Sequence, residues 1–154
     1  MLRAKVLPEV LNQAMTGGVQ SVMLMTPEGA LLGCTAADAE AIDTDKVVGA
    51  ITANIWGEYK RVGAHAFGDV DSGLNFFLMD FEDGKVAVME VCHKYVLCAY
   101  ADASADLGAL KRKLEQTADY LEGPLSKLGD VGDDDAGTSA PTPDATPEGG
   151  PYHR

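Results

Sequence analysis

The spacing of apolar residues changes several times along the chain, and each change predicts a new element of secondary structure. Residues 2–15 carry apolar positions near helical spacing, and Gly17-Gly18 supplies a turn after them. Residues 19–26 and 30–35 are apolar runs on either side of Pro27-Glu28-Gly29, a combination that predicts a β-hairpin. The chain therefore opens with a helix followed by two antiparallel strands.

A long helix is predicted next, from the capping oxygens of Asp43-Thr44-Asp45 to about Gly63. Apolar residues spaced by three and four predict its core-facing stripe: Val48, Ile51, Ile55, Tyr59 and Val62. A stripe of small residues runs beside it through Gly49, Ala53 and Gly57. A mid-helix glycine costs about 1 kcal/mol relative to alanine, so this stripe needs a structural reason. Either a helix of another protein approaches closely there, or the helix packs against its own sheet; the spacing leaves both open.

Three more apolar runs, at residues 74–81, 85–91 and 95–101, predict strands, and Glu82-Asp83-Gly84 is a strong hairpin signal. A last helix is predicted from about residue 104 or 106 to Leu128, with a bend at Gly123-Pro124. The order αββαβββα predicts an α+β sandwich around an antiparallel sheet. The run at 74–79 is the expected edge strand, and an apolar, uncharged edge aggregates unless it is paired. Such an edge beside a small-residue helix face would suit dimerisation.

Composition and charge exclude several classes of partner. The chain has 154 residues, enough for one domain and a tail, which we expect to be residues 1–128 and a disordered acidic tail at 129–154. Its net charge of −12 argues against nucleic acid and against direct contact with anionic lipid. No apolar run approaches the roughly 20 residues that cross a bilayer, so direct membrane insertion is not expected.

Residues that could perform chemistry do not form a recognisable site. The three cysteines, Cys34, Cys92 and Cys98, have no CxxC spacing, which favours a reducing compartment and buried, inert thiols. Thr16-Gly17-Gly18 follows a helix and lacks the Lys-Ser/Thr of a phosphate loop. Cys92 and His93 are adjacent, so on a strand their side chains would point to opposite faces. We therefore expect no enzyme activity, no metal and no cofactor.

Short segments that follow one another along residues 1–128 resemble the sequence of a known family. They include Thr16–Ser21, Asn54-Ile55-Trp56, Leu78-Met79-Asp80, Tyr100-Ala101 and Tyr120-Leu121-Glu122. These segments are similar to the roadblock-type (Roadblock/LC7) family, and within it to the roadblock subunit of Ragulator, an adaptor of late endosomes and lysosomes. Pro8 and an enlarged loop at residues 68–73 depart from the family pattern.

The resemblance implies a five-stranded antiparallel sheet with the long second helix on one face and the terminal helices on the other. It also implies dimerisation through the second helix and the third strand, which favours the intermolecular explanation of the small-residue stripe. The interface residues implied are Gly49, Ala50, Ala53, Asn54, Trp56 and Gly57 on the helix, and Asn75, Phe76, Phe77, Leu78 and Met79 on the strand.

The partners that the resemblance implies are a second roadblock-type subunit, a lipidated anchor subunit, Rag-type small GTPases and a MAPK module. The expected place is the cytosolic face of late endosomes and lysosomes, and the expected role is a non-catalytic scaffold in mTOR (amino-acid) and MAPK signalling. In that family, guanine-nucleotide exchange is ascribed to the complex and not to a site on this subunit. An alternative is a dynein-associated or GTPase-regulating roadblock homodimer.

Overall fold

The computed structural model describes residues 6–68 and 73–136, without the side chains of residues 127–136. Its elements confirm the predicted order αββαβββα: α1 (Val6–Asn12), β1 (Val19–Met25), β2 (Leu31–Cys34), α2 (Ala39–Phe67), β3 (Phe76–Asp80), β4 (Gly84–Val91), β5 (Tyr95–Asp102) and α3 (Leu107–Ala136).

The five strands form one antiparallel sheet in the order β2-β1-β5-β4-β3. One face carries α1 and α3, whose leucines pack on Val22, Leu24 and Leu97 of the sheet. The other face carries α2, which packs on a second cluster of buried side chains that includes Met23 and Val96. The α+β sandwich is therefore confirmed, and so is the position of β3 at an edge of the sheet.

Helix α2 is longer at both ends than the sequence predicted. Its N-cap is Asp38, whose side chain accepts a hydrogen bond of 2.8 Å from the backbone N–H of Ala41. Gly68, with φ of 70°, ends the helix by donating its N–H to the carbonyl of Ala64. The predicted cap at residues 43–45 was wrong, because these residues already lie inside the helix.

Helix α3 runs through Gly123 and Pro124 without interruption and continues to Ala136. Four buried leucines attach it to the sheet: Leu110, Leu114, Leu121 and Leu125. The helix therefore continues past Leu128, the predicted end of the domain, while the division into a domain at 1–128 and a disordered tail stays a prediction. Residues 137–154 of the expected tail, and residue 2 of the first predicted stripe, lie outside the described residues.

Candidate dimerisation surface

Three of the predicted interface residues lie on the face of α2 that packs against the sheet. Gly49 is buried, and Ala53 and Trp56 are each 3% exposed. A Cβ atom on Gly49 would lie 3.4 Å from the sulfur of Met23 and 3.4 Å from the terminal methyl of Met25, so these two β1 side chains leave little room there. Gly49, Ala53 and Trp56 thus offer no exposed surface to a partner. The close approach of these three residues is to the chain's own sheet, and their part in a dimer interface stays a prediction.

Apolar side chains on one flank of α2 are exposed instead. Ile51, Tyr59 and Val62 are 56%, 47% and 56% exposed, and Ile55 is half-buried. At 3.6 residues per turn these four positions lie within about 80° of one another, and we call them the apolar stripe. The prediction that the stripe faces the core was wrong for these four residues, whereas its fifth member, Val48, is half-buried and packs on the core as predicted. A spacing of three and four shows which residues share a helix face, but not what covers that face.

The apolar stripe borders the free edge of β3. The rings of Tyr59 and Phe77 have centroids 4.6 Å apart, with their planes at 37°. On the other face of β3, the ammonium group of Lys111 lies 5.4 Å from the centroid of the Phe76 ring. The side chains of β3 proposed for the interface are half-buried, and Asn75, just before the strand, is exposed. The apolar stripe and residues 76–79 are together called here the α2–β3 surface, and the contact between Tyr59 and Phe77 joins its two parts.

The remaining predicted interface residues of α2, Ala50, Asn54 and Gly57, are exposed, but two of them lie on the other flank. Gly29, in the turn between β1 and β2, has φ of 96°, and a Cβ atom there would come within 3.0 Å of the Cα of Ala50. Ala50 and Gly57 lie about 100° or more around the helix from Ile51. They therefore face the β2 side of the sheet, while Asn54 lies between the two flanks.

A buried carboxylate fixes the N-terminal half of α2 to the sheet. Asp45 is 0% exposed and accepts hydrogen bonds of 2.7 Å from the hydroxyl of Ser21 on β1 and of 2.7 Å from that of Tyr100 on β5. Thr35 lies 3.5 Å from Ser21 Oγ and completes the cluster. Sequence reasoning treated Asp45 as a cap. The signal it missed is the spacing of Asp45, Gly49, Thr52 and Trp56, which marks the buried face of the helix.

Burial keeps two groups protonated, the Tyr100 hydroxyl of this cluster and the Cys98 thiol. Desolvation raises the pKa of the Cys98 thiol from 9.0 to about 12. Desolvation also raises the pKa of Tyr100 from 10.0 to about 12, and the hydrogen bond to the Asp45 carboxylate adds to that shift. Both groups are therefore neutral in the folded chain at pH values where the unfolded chain would ionise them.

The free energy of unfolding should fall as the pH rises from about 9 to about 12, because the unfolded chain loses the Cys98 and Tyr100 protons at a lower pH than the folded chain does. Below pH 9 the contribution of both groups is fully present. Urea denaturation across this pH range measures the effect. Cys98→Ala should make the decline shallower. A decline as steep as that of the unaltered chain would contradict the assignment.

The described residues do not bring the remaining chemical groups into a reactive arrangement. Cys92 and His93 both have φ of 57° and lie in the turn between β4 and β5. The argument that their side chains point to opposite faces assumed a strand and does not apply. The Cys92 thiol donates to the carbonyl of Glu122 at 3.5 Å, and the side chain of His93 is 96% exposed. Among the described residues, no group of three or more His, Cys, Asp or Glu side chains is placed to hold a metal ion. No helix in the described ranges combines the length and apolarity needed to cross a membrane.

Comparison with known sequences gives one family and one curated relative. Residues 8–101 match the family model of the Roadblock/LC7 domain. The chain is 32% identical over 128 residues to the Ragulator complex protein LAMTOR2 homolog of Caenorhabditis elegans. That alignment covers 83% of this chain and 96% of the relative.

Solved structures share the fold at low sequence identity. MglB of Myxococcus xanthus superposes with a TM-score of 0.70 at 17% identity, covering 83% of this chain and 95% of that one. A Roadblock/LC7 domain from Streptomyces avermitilis superposes with a TM-score of 0.68 at 13% identity, covering 77% and 97% of the two chains. These two similarities concern the fold alone.

Proposed function

The chain belongs to the Roadblock/LC7 family, and we therefore propose that it is a non-catalytic adaptor subunit of a Ragulator-type complex, which acts by pairing with a second roadblock-type subunit. The observation that carries this proposal is the continuity of the apolar stripe with the free edge of β3. Similarity to a Ragulator complex protein over most of the chain supports the kind of complex.

Pairing would use two kinds of contact at once. Strand β3 has five residues, and on the side away from β4 its N–H and C=O groups pair with no other strand among the described residues. An antiparallel β3 of the partner would satisfy these groups and join two sheets edge to edge. Helix α2 of the partner would then lie beside the apolar stripe and remove Ile51, Tyr59 and Val62 from water. Such burial contributes about 25 cal/mol per Å² of apolar surface.

The finer parts of the proposal rest on the family resemblance. We propose that the pair recruits Rag-type GTPases to the lysosomal surface for mTOR signalling and scaffolds a MAPK module. Membrane attachment would come from a lipidated anchor subunit, in accordance with the net charge of −12, which disfavours direct contact with anionic lipid. The α1 and α3 layer faces away from α2 and would stay available to the other subunits.

Reconstitution with a separately purified second roadblock-type subunit tests the proposed function. Sedimentation velocity should give a one-to-one complex, while this chain alone should sediment as a monomer. A stable self-dimer that does not exchange with the second subunit would contradict the proposal and favour the homodimer alternative. Stimulation of a GTPase by this chain alone would also contradict the proposal and favour the homodimer alternative.

A further inference from the structure

A groove separates the middle of α3 from the end of β4, on the face of the sheet opposite α2. It has a volume of about 270 Å³. Four apolar residues line its floor: Met89 and Val91 of β4, Ala118 of α3, and Leu74 just before β3. Polar residues, among them Asn75 and His93, line it as well. Val91 is 2% exposed and the other three apolar residues are half-buried, so the floor belongs to the rim of the hydrophobic core.

Three carboxylates of α3 line the groove along its outer wall. Glu115, Asp119 and Glu122 are spaced by four and three residues, so they share one face of the helix, and all three are exposed. Among the side chains that the structure describes, none of the three has a basic group within salt-bridge distance. Glu90, which also lines the groove, differs because it pairs with Lys60 at 2.8 Å.

Like charges at this spacing on a helix repel one another. Beside an apolar floor, a cationic partner would relieve that repulsion while it covers apolar surface. The arrangement of Glu115, Asp119 and Glu122 therefore favours an occupant that is basic at its edges and apolar at its centre.

The size of the groove is suited to one large side chain. Its volume of about 270 Å³ lies just below the range of about 300–1,000 Å³ that small-molecule sites usually enclose. Surface pockets that take individual side chains are a usual means of peptide recognition. The carboxylates would repel nucleic acid and acidic peptides.

We propose that this groove binds a short segment of another protein, in which one large apolar residue is flanked by Lys or Arg. The apolar residue enters between Val91 and Ala118, and the basic side chains pair with Glu115, Asp119 and Glu122. The groove lies in the α3 layer, outside the α2–β3 surface, so its occupation does not require the chain to pair through α2.

Selection from a phage-displayed library of random short peptides, with the full chain as target, tests this proposal. Enrichment of an apolar residue flanked by Lys or Arg is expected. A selected peptide, labelled with fluorescein, should bind the chain in fluorescence anisotropy. Replacing the three carboxylates together (Glu115→Gln, Asp119→Asn, Glu122→Gln) should weaken binding by at least about ten-fold. These positions are exposed, so the variant should keep the circular dichroism spectrum of the unaltered chain.

A matched variant removes three exposed carboxylates elsewhere (Glu28→Gln, Glu40→Gln, Asp43→Asn) and changes the net charge by the same amount. It should bind the peptide within about two-fold of the unaltered chain. Equal weakening by both triple variants would show attraction to net charge alone and would overturn the proposal. Selection without basic–apolar enrichment would also overturn it. Sedimentation with the second roadblock-type subunit should be unchanged by the α3 variant, which keeps a failure here distinct from a failure of the proposed function.

Discussion

A chain that carries Ile51→Arg and Val62→Arg together should fold normally and fail to pair with a second roadblock-type subunit. Both positions are 56% exposed, so the folded monomer can keep the two guanidinium groups in water. In the proposed pair they would be buried without counter-charges, which is costly. We expect the dissociation constant to rise by at least about 100-fold, equivalent to about 2.7 kcal/mol. Isothermal titration calorimetry against the second subunit measures it.

The matched control for this prediction places two arginines on the opposite layer of the molecule. Leu107 and Tyr120 of α3 are 42% and 67% exposed, and Leu107→Arg with Tyr120→Arg makes the same change in charge. This control should pair like the unaltered chain. If the two double variants pair equally well, the α2–β3 surface is not the interface. Ala53→Arg is not a suitable probe, because Ala53 is 3% exposed and an arginine there should unfold the domain.

Replacing Asp45 by Ala should lower the free energy of unfolding by about 3 kcal/mol. A hydrogen bond to a charged group contributes about 1.5–3 kcal/mol, and this carboxylate accepts one from Ser21 and one from Tyr100. Relief of the desolvation of a buried charge offsets part of that loss. The substitution would also leave two hydroxyl groups without their acceptor in the core. Urea denaturation of the purified variant gives the change.

Two further variants separate this cluster from a general effect of removing an aspartate. Asp43→Ala changes an exposed carboxylate on the same helix and should alter stability by less than about 0.5 kcal/mol. Ser21→Ala should cost less in the Asp45→Ala background than alone, because its partner is already absent. Full additivity of the two substitutions, or equal effects of the Asp43 and Asp45 variants, would contradict the structural role given to Asp45.

The order of the elements followed from local features of the sequence. Pro27-Glu28-Gly29 and Glu82-Asp83-Gly84 separate strands as predicted, because turn residues act through their own backbone preferences. The ends of the long helices were less predictable. Asp38 caps α2 although Asp43, Thr44 and Asp45 also offer capping oxygens, and the sequence does not show which of these oxygens lies at the end of the folded helix.

Which face of α2 is buried and which is exposed depended on the tertiary structure. The sequence showed two stripes. Gly49 and Ala53 of the small-residue stripe pack on the sheet, whereas Gly57 and most of the apolar stripe are exposed. The deciding factor is the size of Met23 and Met25 on β1, which lie far from Gly49 in sequence and fill the space beneath it. The location of the predicted interface on α2 and β3 stays a proposal, with Ile51, Ile55, Tyr59 and Val62 in place of the buried Gly49, Ala53 and Trp56.

Hydrogen exchange of this chain, alone and bound to the second roadblock-type subunit, tests the central claim most directly. Strands β3 and β2 are the two edges of the same sheet, so each serves as the reference for the other. Pairing through the α2–β3 surface predicts slower exchange at residues 76–80 in the complex, with exchange at residues 31–34 unchanged. Slower exchange at residues 31–34, with residues 76–80 exchanging as they do in the free chain, would contradict the account.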